Sequence, residues 1–408
     1  MNTKIRLTLM NFLQYAVWGA WLISLGAYLG NTLKFDGLQI GSFFATMGIA
    51  SLFMPAVMGI IADRWIPAQR LLGLCHLFAA GFITLAATRT DYNSLYTLVL
   101  LSVMFYMPTI ALSNSVAYNA LENAGLDTVT HFPPIRVWGT VGFICAMWVV
   151  DLGKMGLSAT QLYFSATLGL ILGLYSFTLP NCPINRSGGG KSIVDLLGLR
   201  AFALFKQRKM AIFFIFSMLL GMSLQITNAF ADGYIKSFGD TGIHGAKYLG
   251  TFGVEHSTIL ISLSQISETL CILLIPFFLK RFGIKRVMLI AMFAWVLRFA
   301  LLGAGNPGPG VWMFILSMIV YGVAFDFFNI SGSLFVEKET SAAIRSSAQG
   351  VFMIMTNGLG ALIGSYLAGW VVNHYGWPLS WYLFAGFSLV VAIVFAVIFK
   401  YKHDPNRI

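Results

Sequence analysis

Two pairs of polar side chains stand inside long apolar stretches of this sequence. Gln225 and Asn228 are three residues apart, and so are Gln265 and Glu268. In a helix this spacing puts both members of a pair on one face. Amide and carboxyl groups supply hydrogen-bond donors and acceptors, so the four residues suit a small ligand rich in hydroxyls and ring nitrogens. The alternative, which stays open for the amides, is that they hold neighbouring helices together.

Two further groups add aromatic rings at helical spacing. Arg136, Thr140 and Phe143 follow one another at intervals of four and three, and Tyr321 and Phe325 are four apart. An aromatic ring stacks on a planar heterocycle whatever its substituents. We therefore predict that these five residues contribute to the same kind of ligand site. The alternative is that the rings fill the core or face lipid.

Besides Arg136, three charged residues lie within the predicted apolar spans as functional candidates, namely Glu268, Asp326 and Arg298. A charge in such surroundings is costly and requires a partner or a function. We predict that Arg298 pairs with Asp326 and stabilises the C-terminal half, which leaves Glu268 to bind ligand or exchange a proton. Asp326 is the second candidate for proton exchange. His76 is predicted to be a packed, neutral side chain.

The elements that carry these residues must be membrane helices. Hydrophobic residues make up 58% of the 408 positions and charged residues only 10%, whereas soluble proteins carry about a quarter charged residues. The apolar runs of about 17–25 residues span a bilayer as helices and are longer than the strands of a barrel. Twelve spans are predicted: Leu7–Gly30, Leu38–Ile61, Leu71–Ala87, Leu95–Leu121, Pro134–Val150, Gln161–Pro180, Met210–Phe238, His256–Leu279, Val287–Ala304, Val311–Phe335, Ser346–Val371 and Trp377–Lys400.

Lysine and arginine are distributed unevenly between the loops. With the N-terminus placed inside, nineteen of the 26 Lys and Arg residues fall in inner segments and five in outer segments. Inner loops of membrane proteins are rich in these residues, so both termini are predicted to be cytoplasmic. The net charge of +11 then reflects a basic inner face against anionic lipid and requires no nucleic acid partner.

A polar stretch divides the spans six and six. We predict an N-terminal bundle at 1–180, a cytoplasmic linker at 181–209 with a short helix around Ile193–Phe205, and a C-terminal bundle at 210–408. The halves also share a pattern of polar residues, with chance similarity as the alternative. Such duplication is typical of secondary transporters that bind substrate near the midplane between repeats. The matching positions are Ser102, Tyr106, Asn114 and Glu122 against Ser317, Tyr321, Asn329 and Glu337.

Several blocks of the sequence resemble a known family. Gly59 to Arg64, followed by Arg70, is similar to the loop signature of the major facilitator superfamily. Other blocks resemble its nucleoside:proton symporter family along essentially the whole chain. The resemblance implies a bacterial inner-membrane protein that imports nucleosides with protons. The blocks are Gln14–Gly19, Phe132–Thr140, Leu224–Asn228, Ser264–Glu268 and Ala324–Ser331.

The resemblance supports roles for individual residues. The amides suit ribose hydroxyls and a base edge, and Glu268 or Asp326 would couple transport to protons. Asp63, Arg64 and Arg70, in an inner loop, are predicted to make gating contacts between the halves. Cavity-lining positions are predicted at Gln14, Trp18 and Asn114. The substrate-binding set is Arg136, Thr140, Phe143, Gln225, Asn228, Gln265, Glu268, Tyr321 and Phe325.

Several other functions are alternatives to nucleoside:proton symport. Within transport, the alternatives are a facilitative or proton-coupled carrier of another small polar solute (a sugar or nucleobase) and a drug exporter. A membrane sensor or intramembrane enzyme would need an output domain, or a nucleophile with a base. The sequence lacks a G-x-x-x-x-G-K-[ST] motif, which argues against ATP-driven transport. Its four cysteines lack metal-ligand spacing. We therefore expect a monomeric transporter in the lipid bilayer that is not an enzyme and needs no metal or cofactor.

Overall fold

The computed structural model describes residues 2–184, 199–241, 246–341 and 344–401, and the regular structure within these ranges is helical. Among these residues, nine helices are long and apolar enough to cross a membrane. Two further helices of 17 residues are nearly as long, and one helix of 48 residues is broken at its middle. The described residues form two compact units, one of 2–35 with 46–184 and the other of 36–45 with the residues from 199 onward.

Six helices run through the first unit, and the first ten residues of the second unit include the start of one of them. Side chains that accept backbone N–H groups begin four of these helices: Asn2 accepts from Lys4, Asp36 from Gln39, Asp91 from Ser94 and Asp127 from Thr130. Such caps satisfy N–H groups that the helix itself leaves unpaired. The helices are α1 Thr3–Gly19, α2 Gly37–Arg64, α3 Ala68–Ala87, α4 Tyr92–Asn123, α5 Thr128–Leu152 and α6 Thr160–Ser176.

The first predicted span is not one continuous helix. α1 ends at Gly19, turns follow, and the chain continues as the short helix Leu25–Ala27 and the π-helical turn Tyr28–Thr32. This break lies well before the predicted end at Gly30. Hydropathy identifies apolar residues but does not show where the backbone leaves the helix.

α1 and α5 approach each other closely because glycine stands at the contact on both helices. A Cβ at Gly142 would overlap the carbonyl of Phe12, and one at Gly19 would overlap the carbonyl of Phe143. Small residues let membrane helices come into backbone contact. This contact sets the distance between the side chains that α1 and α5 carry.

The second unit contains the remaining helices. Gly283, with φ 75°, divides Ser257–Ala304 into two helices, because a left-handed backbone interrupts the helix and favours glycine. The predicted loop between the eighth and ninth spans is therefore a kink. The helices are α7 Arg208–Ser237, α8 (257–282), α9 (284–304), α10 Val311–Glu339, α11 (Arg345–Met353, the π-helical Ile354–Gly360 and Ala361–Tyr375) and α12 Leu379–Ile398.

The predicted linker is described only in part. Residues 185–198 lie outside the described ranges, and the end of the linker forms the 3-10 helix Leu199–Lys206. This overlaps the second part of the helix predicted around Ile193–Phe205. The domain boundaries at 180 and 210 stay predictions.

Candidate functional site

In the first unit, α5 carries the predicted substrate-binding residues Arg136, Thr140 and Phe143 and packs beside α1. The Arg136 guanidinium lies over the Tyr15 ring, with its Cζ 4.0 Å from the ring centroid. Phe143 is buried and meets Trp18 edge to face at 6.3 Å. Thr140, between them on α5, is half-buried. Arg136 and Phe143 thus both contact α1, and a cation over a ring holds the guanidinium in place.

A buried hydrogen-bond network lies beside these residues. The Gln14 amide nitrogen donates to the Thr109 hydroxyl at 2.7 Å, and the Gln14 amide oxygen is 2.8 Å from Nε2 of His76. Tyr106 donates its hydroxyl to the Gln14 carbonyl. His76 is fully buried, so the prediction of a packed histidine is confirmed.

Four buried polar atoms in the first unit have no hydrogen-bond partner among the described residues: Oδ1 of Asn11, Nδ1 of His76, Nε1 of Trp18 and Oδ1 of Asn114. The last two belong to residues with a predicted role. Buried polar atoms in proteins are nearly always paired, so an exception indicates a site for water or ligand. Trp18 and Asn114 were predicted to line a cavity, and that role stays a prediction.

In the second unit, α7 carries an unpaired amide. Gln225 is 6% exposed, and its Oε1 is buried without a hydrogen-bond partner in the part of the chain described. Asn228 is half-buried on the next turn. An unpaired buried acceptor costs about 1–3 kcal/mol, a cost that a ligand donating to it would remove.

The second unit brings the predicted residues of α8 and α10 together. The Gln265 amide lies near the Tyr321 hydroxyl, and Glu268 is close enough to interact electrostatically with both Tyr321 and Asp326. The rings of Tyr321 and Phe325 stack with centroids 5.7 Å apart and an interplanar angle of 7°. Two carboxyl groups, an amide and a stacked aromatic pair therefore form one cluster.

The expected ion pair between Arg298 and Asp326 is wrong. Arg298 is 2% exposed and donates from Nη1 to the Ser317 carbonyl at 2.7 Å, while its Cζ lies 4.7 Å from the centroid of the Tyr321 ring. Asp326 is 4% exposed, and its Oδ2 has no hydrogen-bond partner among the described residues. A backbone carbonyl and a ring face stabilise the guanidinium in place of a carboxylate.

A cleft opens next to this cluster, among α7, α9, α10 and α11. Of the predicted substrate-binding residues, only Phe325 lines it. Asn357 and Trp295 were not predicted, and Asn329 was assigned only to the internal repeat and to the block Ala324–Ser331, without a role in binding. The lining consists of Leu220, Gly221, Leu224, Trp295, Ala324, Phe325, Phe328, Asn329, Thr356 and Asn357.

The predicted gating residues lie at the turn from α2 to α3. Asp63 and Arg64 end α2, Arg70 lies in the first turn of α3, and all three are exposed. Their position fits a loop at the membrane surface. Their gating role stays a prediction.

Long apolar helices with amides, carboxyls and a buried guanidinium inside them define a polytopic membrane transporter. The family model described as "Nucleoside H+ symporter" matches residues 1–404. Nucleoside permease NupG of Escherichia coli (strain K12) is 51% identical over 410 residues, covering 99% of this chain and 97% of that protein. Xanthosine permease of the same strain is 50% identical over 415 residues, covering 100% of this chain and 98% of that protein.

Solved structures agree with this relationship. The crystal structure of the nucleoside transporter NupG matches with a TM-score of 0.91 at 51% identity, covering 98% of this chain and all of that chain. A POT peptide transporter matches with a TM-score of 0.75 at 13% identity, covering 97% of this chain and 93% of that chain, and shows the fold alone.

The chain therefore belongs to the nucleoside H+ symporter family and has the major facilitator fold. It is a multi-pass membrane transporter, not an enzyme, and it imports nucleosides together with protons.

Proposed function

We propose that this transporter binds its nucleoside in the second unit, at the amides of α7 and α8 and the stacked rings of α10. The observation that carries the proposal is the cluster in which Gln265 and Glu268 meet Tyr321 and Asp326. A nucleoside has ribose hydroxyls that donate to carboxylate and amide oxygens, and a planar base that stacks on rings. The unpaired oxygen of Gln225 offers a further acceptor.

We assign proton coupling to Glu268 and Asp326 together. Two carboxylates close to each other in apolar surroundings repel, and a proton bound to either removes that repulsion. Because Asp326 is not paired with Arg298, it is as strong a candidate as Glu268. A ribose hydroxyl that donates to Glu268 would change the balance of charge in the pair, which links nucleoside binding to proton binding.

Arg136, Thr140 and Phe143 of the first unit are proposed as further substrate contacts. Arg136 would donate to a base or ribose oxygen, and Phe143 would offer a ring face. Support for their placement is that Arg136 and Phe143 are held by rings of α1, Tyr15 and Trp18. Asp63, Arg64 and Arg70 are proposed to act in gating.

The substrate is proposed to be a uridine-like or xanthosine-like nucleoside; one relative is named a nucleoside permease and another a xanthosine permease. The proposed location is the bacterial inner membrane, with both termini cytoplasmic and the chain acting as a monomer. The excess of Lys and Arg in the inner segments supports this orientation.

The test is uptake of labelled uridine into liposomes that contain only the purified protein. An inward proton gradient should drive accumulation, and a protonophore should abolish it. Excess unlabelled uridine should compete, whereas free ribose and free uracil should not. Accumulation without a proton gradient would contradict symport, and competition by ribose or uracil alone would favour a sugar or nucleobase carrier.

A further inference from the structure

Two asparagines outside the predicted site line the cleft of the second unit. Asn329 lies on α10 and Asn357 on α11, and both are half-buried. The walls between them include the rings of Trp295, Phe325 and Phe328, and no charged residue among those that the structure describes lines the cleft. Planar rings with two amides form surroundings that suit a flat, neutral, hydrogen-bonding group.

A local change of helix type places Asn357 at this cleft. α11 contains the π-helical segment Ile354–Gly360, in the middle of which Asn357 lies. α7 presses against this segment, because a Cβ at Gly221 would overlap the Thr356 carbonyl. π-helical turns inside α-helices are frequent at functional sites. The Thr356 hydroxyl donates to the Phe352 carbonyl of its own helix at 2.9 Å, so this donor is not available to a ligand.

The two amides are not committed elsewhere within the described ranges. Asn357 makes one long contact, from Nδ2 to the Sδ of Met353 at 3.8 Å, and sulfur is a weak acceptor. The side chain of Asn329 makes no hydrogen bond to any residue that the structure describes. Each amide can therefore present both a donor and an acceptor to a ligand.

We infer that Asn329 and Asn357 form the base-recognition subsite of the transporter, with the nucleobase lying along Phe325. This inference rests on the proposed function, because Phe325 belongs to both the stacked pair and the cleft. A base edge presents neighbouring donors and acceptors, and an asparagine amide pairs with such an edge through both of its groups. The ribose then lies with the amides and carboxyls of α7 and α8.

The experiment compares two ligands on purified protein. Uridine carries the O4 acceptor and the N3–H donor on its base edge, whereas 2-pyrimidinone riboside has the same ribose and lacks both. Wild type should bind uridine more tightly by at least about tenfold, since each well-placed hydrogen bond is worth about one factor of ten. The Asn329→Leu and Asn357→Leu variants keep side-chain size and should lose this preference while still binding the analogue.

Asn119→Leu serves as the matched control, because Asn119 lies in the first unit and donates to the Ser115 carbonyl. It should keep the wild-type preference. If a leucine variant fails to fold, the alanine variant takes its place, and the unliganded melting temperature reports folding. A wild type without preference, cleft variants that keep it, or folded variants that bind neither ligand would each overturn the base-recognition role. Wild type that binds neither nucleoside would instead refute the proposed function.

Discussion

The guanidinium of Arg298 lies over the ring of Tyr321, with its Cζ 4.7 Å from the ring centroid, and donates to the Ser317 carbonyl at 2.7 Å. Trp295 meets the same ring edge to face at 6.0 Å. Tyr321 in turn stacks on Phe325. Arg298 therefore packs against Tyr321, the ring that stacks on Phe325, and its hydrogen bonds do not include Asp326.

Replacing Arg298 with Ala should be strongly destabilising, because it uncovers the Tyr321 ring and removes the buried, charged hydrogen bond to the Ser317 carbonyl. We expect a loss of about 2–4 kcal/mol, the range for a buried charged hydrogen bond together with lost packing. Asp326→Asn should change the melting temperature of wild type and of Arg298→Ala by the same amount, since the two side chains do not form a pair. Melting of the two single variants and the double variant in detergent measures this, and a gain confined to the Arg298→Ala background would restore the ion-pair reading.

Gln225→Leu should weaken uridine binding without lowering the melting temperature of the protein. Its amide oxygen is buried and unpaired without ligand, so removal should not lower the melting temperature. The dissociation constant for uridine should rise about two- to tenfold, the loss of one hydrogen bond.

Gln161→Leu is the matched control for this change. Gln161 is fully buried, accepts from Ser24 and donates to the Gly156 carbonyl. It should lower the melting temperature and leave uridine affinity unchanged. If Gln225→Leu behaves like Gln161→Leu, then Gln225 only joins helices.

Asp232 and Lys236 form a buried ion pair within α7, and Asp232 also accepts from two hydroxyls at the start of α8; these contacts were missed at the sequence level. Asp232 is 1% exposed and contacts Lys236 at 2.6 Å, Ser257 at 2.5 Å and Thr258 at 3.1 Å. Asp232→Ala leaves a buried lysine unpaired and should cost about 3–5 kcal/mol. The double variant with Lys236→Met should recover part of this loss.

The control for the Asp232 variants is the exposed pair of Lys209 and Glu339, whose side chains are 39% and 26% exposed. Glu339→Ala should cost at most about 1 kcal/mol. Melting temperatures of the four proteins give the comparison. Equal losses for the two acidic residues would show that Asp232 is not the anchor of this junction.

Glycine at the contact of α1 and α5 should not tolerate a larger residue. Gly142→Val should overlap the Phe12 carbonyl, force the helices apart and lower both melting temperature and uridine uptake. Gly81→Val is the control, because a Cβ at Gly81 meets no atom within 4 Å. Equal behaviour of the two variants would contradict the close approach.

The sequence predicted the helices and the polar faces of the site, but not every contact. Spacing shows that Gln265 and Glu268 share a face, and composition shows that this face is in a membrane. Neither reveals that Arg298 reaches the Ser317 carbonyl across the turn between α9 and α10, because that depends on how two helices pack. Asn357 was missed for the same reason: the π-helical turn that places it at the cleft forms where α7 presses against α11 at Gly221.

If the Glu268 and Asp326 carboxyls carry the coupling proton, their replacement must stop proton entry during uridine transport. Proton entry into liposomes measures this directly. Uridine is added outside liposomes that contain the protein and a trapped pH dye, with no gradient imposed. Wild type should acidify the interior as uridine enters, and so should Asp151→Asn, which alters a buried acid of the first unit. Glu268→Gln and Asp326→Asn should exchange labelled uridine without acidification. Acidification at the wild-type rate by both variants would contradict the assignment.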